Sequence, residues 1–387
     1  MISSTQFPLV TVVTPSLNQG RFIEETILSV LSQDYPNIEY IVVDGGSNDG
    51  TIEILRKYED RLRWISEQDN GQSHAINKGF RIARGEIISW INSDDIYEPG
   101  AVRTAVDYLV SNDHVAMIYG RVNVIDEVGL LTDLRREPGE IDLWSLVHCA
   151  KGIDQASTFF RKSVLEKIGY LDEKLHWSMD WDLWVRIGSH FIIKDIDFVF
   201  AKIRLYSGNK TASGGVKRFI EGVRLLRRYS NCSRIFGAIR IGFGSFHMHL
   251  RFNHPIIYKY LKPKIYSFKN ALLDKYYSNY RGVFPDNWLG KKARFMLPMG
   301  MASSFIRFVI NMPDDQHLLP NHVVAKLNKA TVGKMTMLKS GNYELHVPYD
   351  AHAERPTEVE LIFSKALPPD SQRRRLVCKL VEVTFAP

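Results

Sequence analysis

Four short apolar runs in the first hundred residues each give way to a polar or glycine-rich loop, and this alternation narrows the fold more than any other feature of the chain. Leu9-Val10-Thr11-Val12-Val13-Thr14 is β-branched and apolar, the pattern of a buried strand. Pro15-Ser16-Leu17-Asn18-Gln19-Gly20 is a loop by composition. Phe22, Ile23, Thr26, Ile27, Val30 and Leu31 then recur at helical spacing until Tyr35-Pro36-Asn37 stops the helix. Tyr40-Ile41-Val42-Val43 predicts a second strand, closed by Asp44-Gly45-Gly46-Ser47-Asn48-Asp49-Gly50, with a helix from Thr51. Leu62-Arg63-Trp64-Ile65 predicts a third strand, a helix follows near Ser73 to Ala83, and Glu86–Ile91 predicts a fourth strand. Such alternation implies an α/β fold with a mainly parallel sheet and helices on both faces. Loops at the carboxyl ends of parallel strands converge on one edge, where open sheets keep their ligand crevice.

The fourth strand runs straight into Asn92-Ser93-Asp94-Asp95. Asp and Asn are common turn residues, so a turn is the bland reading. Two hard oxygen donors at a strand end also suit Mg²⁺ or Mn²⁺ and, through the ion, a phosphate-bearing substrate. Further on, Leu183, Trp184 and Ile187 repeat at helical spacing, which places Asp180 at or just before a helix start. An acidic residue there is favoured by the helix dipole alone.

Taken in order, Val12-Val13-Thr14-Pro15-Ser16-Leu17-Asn18, Val42–Thr51, Gly71–Gly79 and Ile91–Asp95 resemble the family 2 glycosyltransferases. The resemblance covers roughly the first 210 residues and rests on four motifs at strand ends. It implies a GT-A fold, a nucleotide-sugar donor, a divalent metal cofactor (Mn²⁺ or Mg²⁺) and inversion at the anomeric carbon. It implies that Asp94 holds the metal and that Asp180 is the catalytic base. Asp44 would recognise the nucleobase or ribose, with Pro15, Ser16, Asn18 and Ser93 lining the nucleotide-sugar pocket. Asp69 and Lys78 join that set, Asp69 with a plain Asp-Asn-Gly turn as its alternative. Asp182 is expected to support the helix.

The chain departs from the family's pattern at four places. Asn92 stands where an aspartate often begins the motif, and Met179 where a glutamate often precedes the base. Ile76 replaces an arginine, with Lys78 as a substitute, and Tyr206 replaces a histidine. A neutral imidazole ligates metals, whereas a protonated phenol is a poor ligand. In the same loop, Lys210 reads either as a diphosphate contact or as a solvated charge.

The remaining chain is read from composition. At 387 residues two or three domains are expected: 1–215 catalytic, 216–280 helical and basic, and 281–387 a β-sandwich. Val216–Tyr280 carries thirteen Lys or Arg against Glu221 and Asp274, although the whole chain is only +7, so the rest is net acidic. Basic residues interleaved with aromatics predict contact with an anionic membrane surface. A linker packed on the catalytic domain is an equal alternative, and nucleic acid ranks below both. Beyond residue 290, short alternating runs such as Phe305–Ile310, His322–Leu327, Glu358–Phe363 and Leu376–Val383 predict an antiparallel sandwich. It is similar to β-domains appended to some bacterial polysaccharide glycosyltransferases, and glycan binding, homo-oligomer formation and simple stabilisation are its open roles. Cys149, Cys232 and Cys378 lack metal-type spacing, which argues for reduced thiols in a cytoplasmic setting. A first strand by Leu9 leaves no room for a signal peptide, and no apolar run reaches membrane-span length.

The expected function is therefore transfer of a sugar to a glycan or lipid-linked acceptor in bacterial surface polysaccharide assembly, in the cytoplasm or peripherally on the inner face of the membrane. Two rivals stand beside it. One is a nucleotidyltransferase of related fold, for which Pro15-Ser16-Leu17-Asn18 offers no basic phosphate grip. The other is a glycan-binding protein weakened or inactivated at Asn92, Met179 and Tyr206.

Overall fold

The computed structural model describes residues 7–136, 139–148, 152–229, 234–268, 288–297, 305–348, 356–367 and 376–386. Cys149 and Cys232 lie outside them, and Cys378 is a free, buried thiol. The chain forms two compact units. The first comprises Met1–Asp142 and Lys151–Gly222, the second Leu143–Ala150 and Val223–Pro387. The division after residue 222 thus falls inside a helix, seven residues beyond the sequence-based boundary at 215.

In the first unit, β1 (Val10–Ser16), α1 (Ile23–Leu31), β2 (Ile38–Asp44), α2 (Thr51–Lys57), β3 (Arg63–Ser66), α3 (Gln72–Ile82) and β4 (Ile87–Trp90) follow the alternation read above. Next come β5 (Ile96–Tyr97), α4 (Ala101–Ser111), β6 (Val115–Ile125) and β7 (Leu131–Arg136). Helix α5 (Leu143–Val147) belongs to the second unit. The first unit resumes with a 3₁₀ turn (Gln155–Ser157), β8 (Phe159–Arg161), α6 (Lys162–Ile168), α7 (Met179–Gly188), β9 (Ile192–Arg204) and α8 (Lys210–Ser213). Helix α9 (Gly215–Tyr229) runs across the division between the units.

Among the described residues, nine strands make one sheet in the order β3-β2-β1-β4-β8-β6-β9-β5, with β7 on β6. Pairing is parallel through β3-β2-β1-β4, as expected. Beyond β4 the sheet is mixed: β8 runs antiparallel to both β4 and β6, β6 and β9 are parallel, and β5 closes antiparallel on β9. Each right-handed β–α–β crossover enforces parallel strands, whereas β8 arrives after a 3₁₀ turn with no crossover helix of its own. Strand β1 is buried along its whole length, which explains its continuous apolar run. Val42 of β2 packs into the core that holds Val10, Val12 and Ile27, while Ile41 and Val43 face Ala75 of α3. Both faces of the sheet are therefore covered.

An aromatic cluster ties the late elements to the early ones. Trp184 of α7 stacks on Trp90 of β4 with ring centroids 5.3 Å apart, and Phe80 and Phe160 meet Trp90 edge-on. Both tryptophans are at most 2% exposed. Such a pair adds about 0.5–1.5 kcal/mol beyond burial. It docks the helix that carries Asp180 onto the strand that leads to Asp94.

In the second unit, α10 (Arg234–Asn253) and α11 (Pro255–Phe268) precede β10 (Trp288–Gly290), β11 (Lys292–Leu297), β12 (Phe305–Met312), β13 (Asn321–Leu327), β14 (Ala330–Met337), β15 (Gly341–Pro348), β16 (Thr357–Phe363) and β17 (Leu376–Ala386). Two four-stranded antiparallel sheets result, β10-β17-β12-β15 and β11-β16-β13-β14. Alternate residues such as Phe308, Val323, Leu361 and Phe363 fill the core between them. Strand β14 was hidden in the sequence because its residues are mostly exposed and carry little apolar alternation.

Candidate active site

The parallel register fixes the crevice edge. Ser16 pairs with Asp44, and Asp44 with Ser66, so three polar residues end adjacent strands in one row. Asp44 is fully buried. Its Oδ2 accepts the backbone N–H groups of Gly46 (3.0 Å) and Ser47 (2.9 Å) and the Ser66 hydroxyl (2.7 Å), and its Oδ1 accepts the Ser47 hydroxyl. All these bonds are internal, so its carboxylate shapes the loop from beneath. Asn18, in the left-handed region at φ 54°, accepts the Asn48 N–H (3.0 Å), and the Ser47 hydroxyl accepts the Asn18 N–H (2.7 Å). The first two loops are knitted into one rim. Pro15 lies within β1, and the Ser16 Oγ beside it is buried without a partner, an open hydrogen-bonding group at the crevice edge.

Asp69 forms the expected turn, accepting the Gly71 N–H at 2.7 Å. It also reaches the rim, because a Cβ placed on Gly45 would lie 2.7 Å from its Oδ2. Only glycine admits that approach. Lys78 goes elsewhere: its ammonium pairs with Glu67 at 2.7 Å. Glu67 takes one of the three ammonium donors and offsets its charge.

The two adjacent aspartates point apart. Asp95 is 5% exposed and faces inward, its Oδ1 accepting the Arg204 N–H (2.9 Å) and its Oδ2 the Asn92 side-chain N–H (3.1 Å). Burial, reinforced by the neighbouring Asp94 charge, holds its carboxyl well above the usual carboxylate range. Asp94 is half-buried and hydrogen-bonded to Tyr206. Burial raises its pKa too, against the lowering effect of the Tyr206 hydroxyl and the Arg204 guanidinium. Burial and the Asp94 charge push the Tyr206 phenol up to about 12, so it stays a hydrogen-bond donor to the carboxylate. Ser93, in the turn between, is 5% exposed.

Asp180 lies in the first turn of α7, and its Oδ1 accepts the Trp181 N–H at 2.7 Å. Burial raises its pKa, and the Asp154 carboxylate adds to the rise, while that backbone N–H and Arg218 oppose it. A buried carboxylate whose pKa is raised matches the profile of a general base. Asp182 is 1% exposed and pairs with Arg186 at 2.8 Å, while Arg186 caps the carbonyls of Ile168, Gly169 and Tyr170. It holds the helix in place.

A chain of hydrogen bonds joins the Asp94 side to the Asp180 side. Asn92 Oδ1 accepts from Gln72 Nε2 (2.8 Å), and Gln72 Oε1 accepts from Lys210 Nζ (2.7 Å). The Lys210 ammonium is in turn within the electrostatic reach of Asp180 and Glu221. Glu221 of α9 takes three consecutive backbone N–H groups, those of His176, Trp177 and Ser178, each at 2.7 Å. It braces the loop that leads into α7.

Sequence reasoning left five of these residues without a role: Gln72, Asp154, Gln155, Arg204 and Glu221. Gln72 opens the third motif, and Glu221 is one of two acidic residues in the most basic stretch of the chain, which are legible signals. Gln155 donates to the Trp90 carbonyl while its Oε1 is buried without a partner. Nothing local marks it.

A divalent cation was tested against this donor set. Among the described residues no group of three or more His, Cys, Asp or Glu is arranged to hold a metal. Asp95 is engaged internally, which leaves one carboxylate, Asp94. That fits an ion of the Mg²⁺ type, which commonly takes one or two protein carboxylates and completes its shell with substrate phosphates and water.

Comparison with known proteins gives the following. Residues 11–169 match the model of Glycosyl transferase family 2. An uncharacterized glycosyltransferase of Rickettsia typhi is 32% identical over 195 residues, 48% of this chain and 60% of the relative. This chain therefore spans about three fifths of that relative's length. A putative teichuronic acid biosynthesis glycosyltransferase, TuaG, of Bacillus subtilis is 36% identical over 107 residues, 27% of this chain and 42% of the relative. Among solved structures, S. aureus TarS 1–349 in complex with UDP-GlcNAc is similar with a TM-score of 0.48 and 19% identity, over 63% of this chain and 73% of that one.

Proposed function

We propose that this chain, whose first unit carries a family 2 glycosyltransferase domain of GT-A fold, moves a sugar from a nucleotide-diphosphate donor to a glycan or lipid-linked acceptor, with inversion. One observation supports the reading: Gln72 bonds both Asn92, two residues before Asp94, and Lys210, whose ammonium feels the Asp180 charge, so the two proposed roles fall within one connected network. In this reading the nucleotide lies against the rim of Asn18, Ser47 and Asp69, with the open Ser16 hydroxyl beneath it. Asp94 orients the diphosphate end of the donor. A Mg²⁺ or Mn²⁺ held by Asp94 and the diphosphate would offset negative charge on the departing phosphate. Asp180 takes the proton of the acceptor hydroxyl as that oxygen attacks the anomeric carbon from the face opposite the leaving group. Similarity to the putative teichuronic acid biosynthesis glycosyltransferase of Bacillus subtilis supports surface polysaccharide as the setting.

A membrane-associated setting has its own support. Helices α10 and α11 contain no acidic residue, and Ile256, Ile257 and Tyr260 are 75%, 50% and 78% exposed beside exposed Lys259 and Lys264. Apolar side chains flanked by cations fit the boundary of an anionic bilayer. Among the described residues no helix is long and apolar enough to cross a membrane.

The test is nucleoside diphosphate release from a panel of nucleotide sugars, with and without glycan acceptors. Release that depends on acceptor supports the transferase. Pyrophosphate release from nucleoside triphosphates would favour a nucleotidyltransferase. Glycan binding without either product would favour an inactive binding protein.

A further inference from the structure

The Lys210 ammonium is a charge placed where a second anion is needed. It is half-buried, its only close oxygen acceptor among the described residues is the neutral Gln72 amide at 2.7 Å, and the Met179 sulfur lies 4.0 Å away. Among the described residues no carboxylate comes within ion-pair distance of it, whereas Arg186 pairs with Asp182 and Arg204 with Glu25. A cation withdrawn from water without a counter-ion is costly unless a ligand supplies one. An ammonium has three donors, and Gln72 takes one. The Gln72 amide is held in turn by its bond to Asn92, two residues before Asp94, which ties the ammonium to that loop through one side chain.

We propose that Lys210 is a further catalytic residue that binds the donor's diphosphate directly and offsets the charge developing on it, so that donor binding does not rest on the metal alone. The inference rests on the transferase reading. In the step itself, the acceptor oxygen bonds to the anomeric carbon and the bond from that carbon to the phosphate oxygen breaks. The electron pair stays on the phosphate, and the acceptor's proton goes to Asp180. Lys210 stays protonated throughout and stabilises charge without transferring a proton.

The groups facing Lys210 set how it titrates. Burial lowers its pKa to about 8, Asp180 of α7 and Glu221 of α9 oppose the fall, and Gln72 of α3 is neutral. His176, whose own pKa is lowered by burial and then by Lys210, lies on the loop before α7.

Inorganic pyrophosphate is the probe, titrated in chelator and again in Mg²⁺, against wild type, Lys210→Met and Lys210→Arg. In chelator, Lys210→Met should weaken binding roughly ten- to a hundredfold, the usual weight of a charge-assisted hydrogen bond. Lys210→Arg should retain most of it, and the loss in Lys210→Met should shrink in Mg²⁺. Wild-type affinity in chelator should also fall as pH rises through about 8, relative to Lys210→Arg, whose guanidinium does not titrate there. That comparison cancels the titration of pyrophosphate and needs no folded methionine variant. Equal affinities for wild type and a folded Lys210→Met, or parallel pH profiles for wild type and Lys210→Arg, overturn the assignment. Failure of the transferase reading looks different: pyrophosphate binds as described, and no donor in the panel releases its nucleotide.

Discussion

Arg204 donates its backbone N–H to Oδ1 of Asp95 at 2.9 Å and its Nε–H to the carbonyl oxygen of Asp94 at 3.1 Å. Its guanidinium also donates to the carbonyls of Asp126 and Glu127, pairs with Glu25 and lies over the Phe22 ring. The end of β9 therefore anchors the Asp95 carboxylate and the backbone of Asp94 together.

Arg204→Met should destabilise the first unit by about 1–3 kcal/mol, because three part-buried carbonyl acceptors lose their donor at once, while the backbone N–H bond to Asp95 stays. It should also loosen the Asp94 loop and lower turnover. Urea unfolding checks the first effect and steady-state kinetics the second. A variant as stable and active as wild type would show that the loop holds itself.

Asp180→Asn should lower turnover by roughly 10²–10⁴ with donor affinity nearly unchanged, the usual range for removing a positioned base. Asp182→Asn should behave in the opposite way. It breaks a buried pair with Arg186, so stability should drop by roughly 3–5 kcal/mol at most, while the folded fraction keeps its chemistry. Near-normal turnover in folded Asp180→Asn would move the base elsewhere.

The pH dependence follows from the same residue. Burial raises the Asp180 pKa, and the base works only when deprotonated. Activity should therefore be lost as pH falls through that raised value, on a limb lying above the ordinary carboxylate range. A turnover profile that stays flat down to the pKa of a free aspartate would contradict it.

For the metal, Asp94→Ala should abolish the Mn²⁺-dependent part of donor binding and leave the fold intact. Tyr206→His should strengthen Mn²⁺ binding, since a neutral imidazole ligates where the phenol only hydrogen-bonds to Asp94. Titrating donor against Mn²⁺ in both variants measures this. Unchanged Mn²⁺ dependence in Asp94→Ala would take that residue out of the site.

At the membrane, Ile256→Glu with Tyr260→Glu should weaken sedimentation with anionic vesicles, and salt should weaken wild-type binding through screening. Reversing Arg224, Arg227 and Arg228 should matter less. Those arginines are exposed, but Leu225 and Leu226 between them are buried, so α9 has no free apolar face there. Equal sedimentation with neutral and anionic vesicles would return this segment to the role of a linker.

The amino-acid sequence alone determined the parallel core of the first unit, because period, β-branching and turn residues are local properties that survive any packing. It also determined that Asp44, Asp69, Asp94 and Asp180 sit near strand or helix ends. The C-terminal strands read from alternation, such as Phe305–Ile310, His322–Leu327 and Glu358–Phe363, were likewise legible, since one face of each lies in the sandwich core. The tertiary structure decided what each carboxylate does. Asp94 and Asp95 are neighbours with the same chemistry, yet Asp95 is held by Asn92 and by Arg204, more than a hundred residues later, while Asp94 meets the Tyr206 hydroxyl. Lys78 and Lys210 looked alike as loop or helix lysines, yet one pairs with Glu67 and the other stands against a neutral amide 138 positions away. Side-chain direction in a turn is set by the partners within reach, and those partners come from distant parts of the chain that only folding brings together.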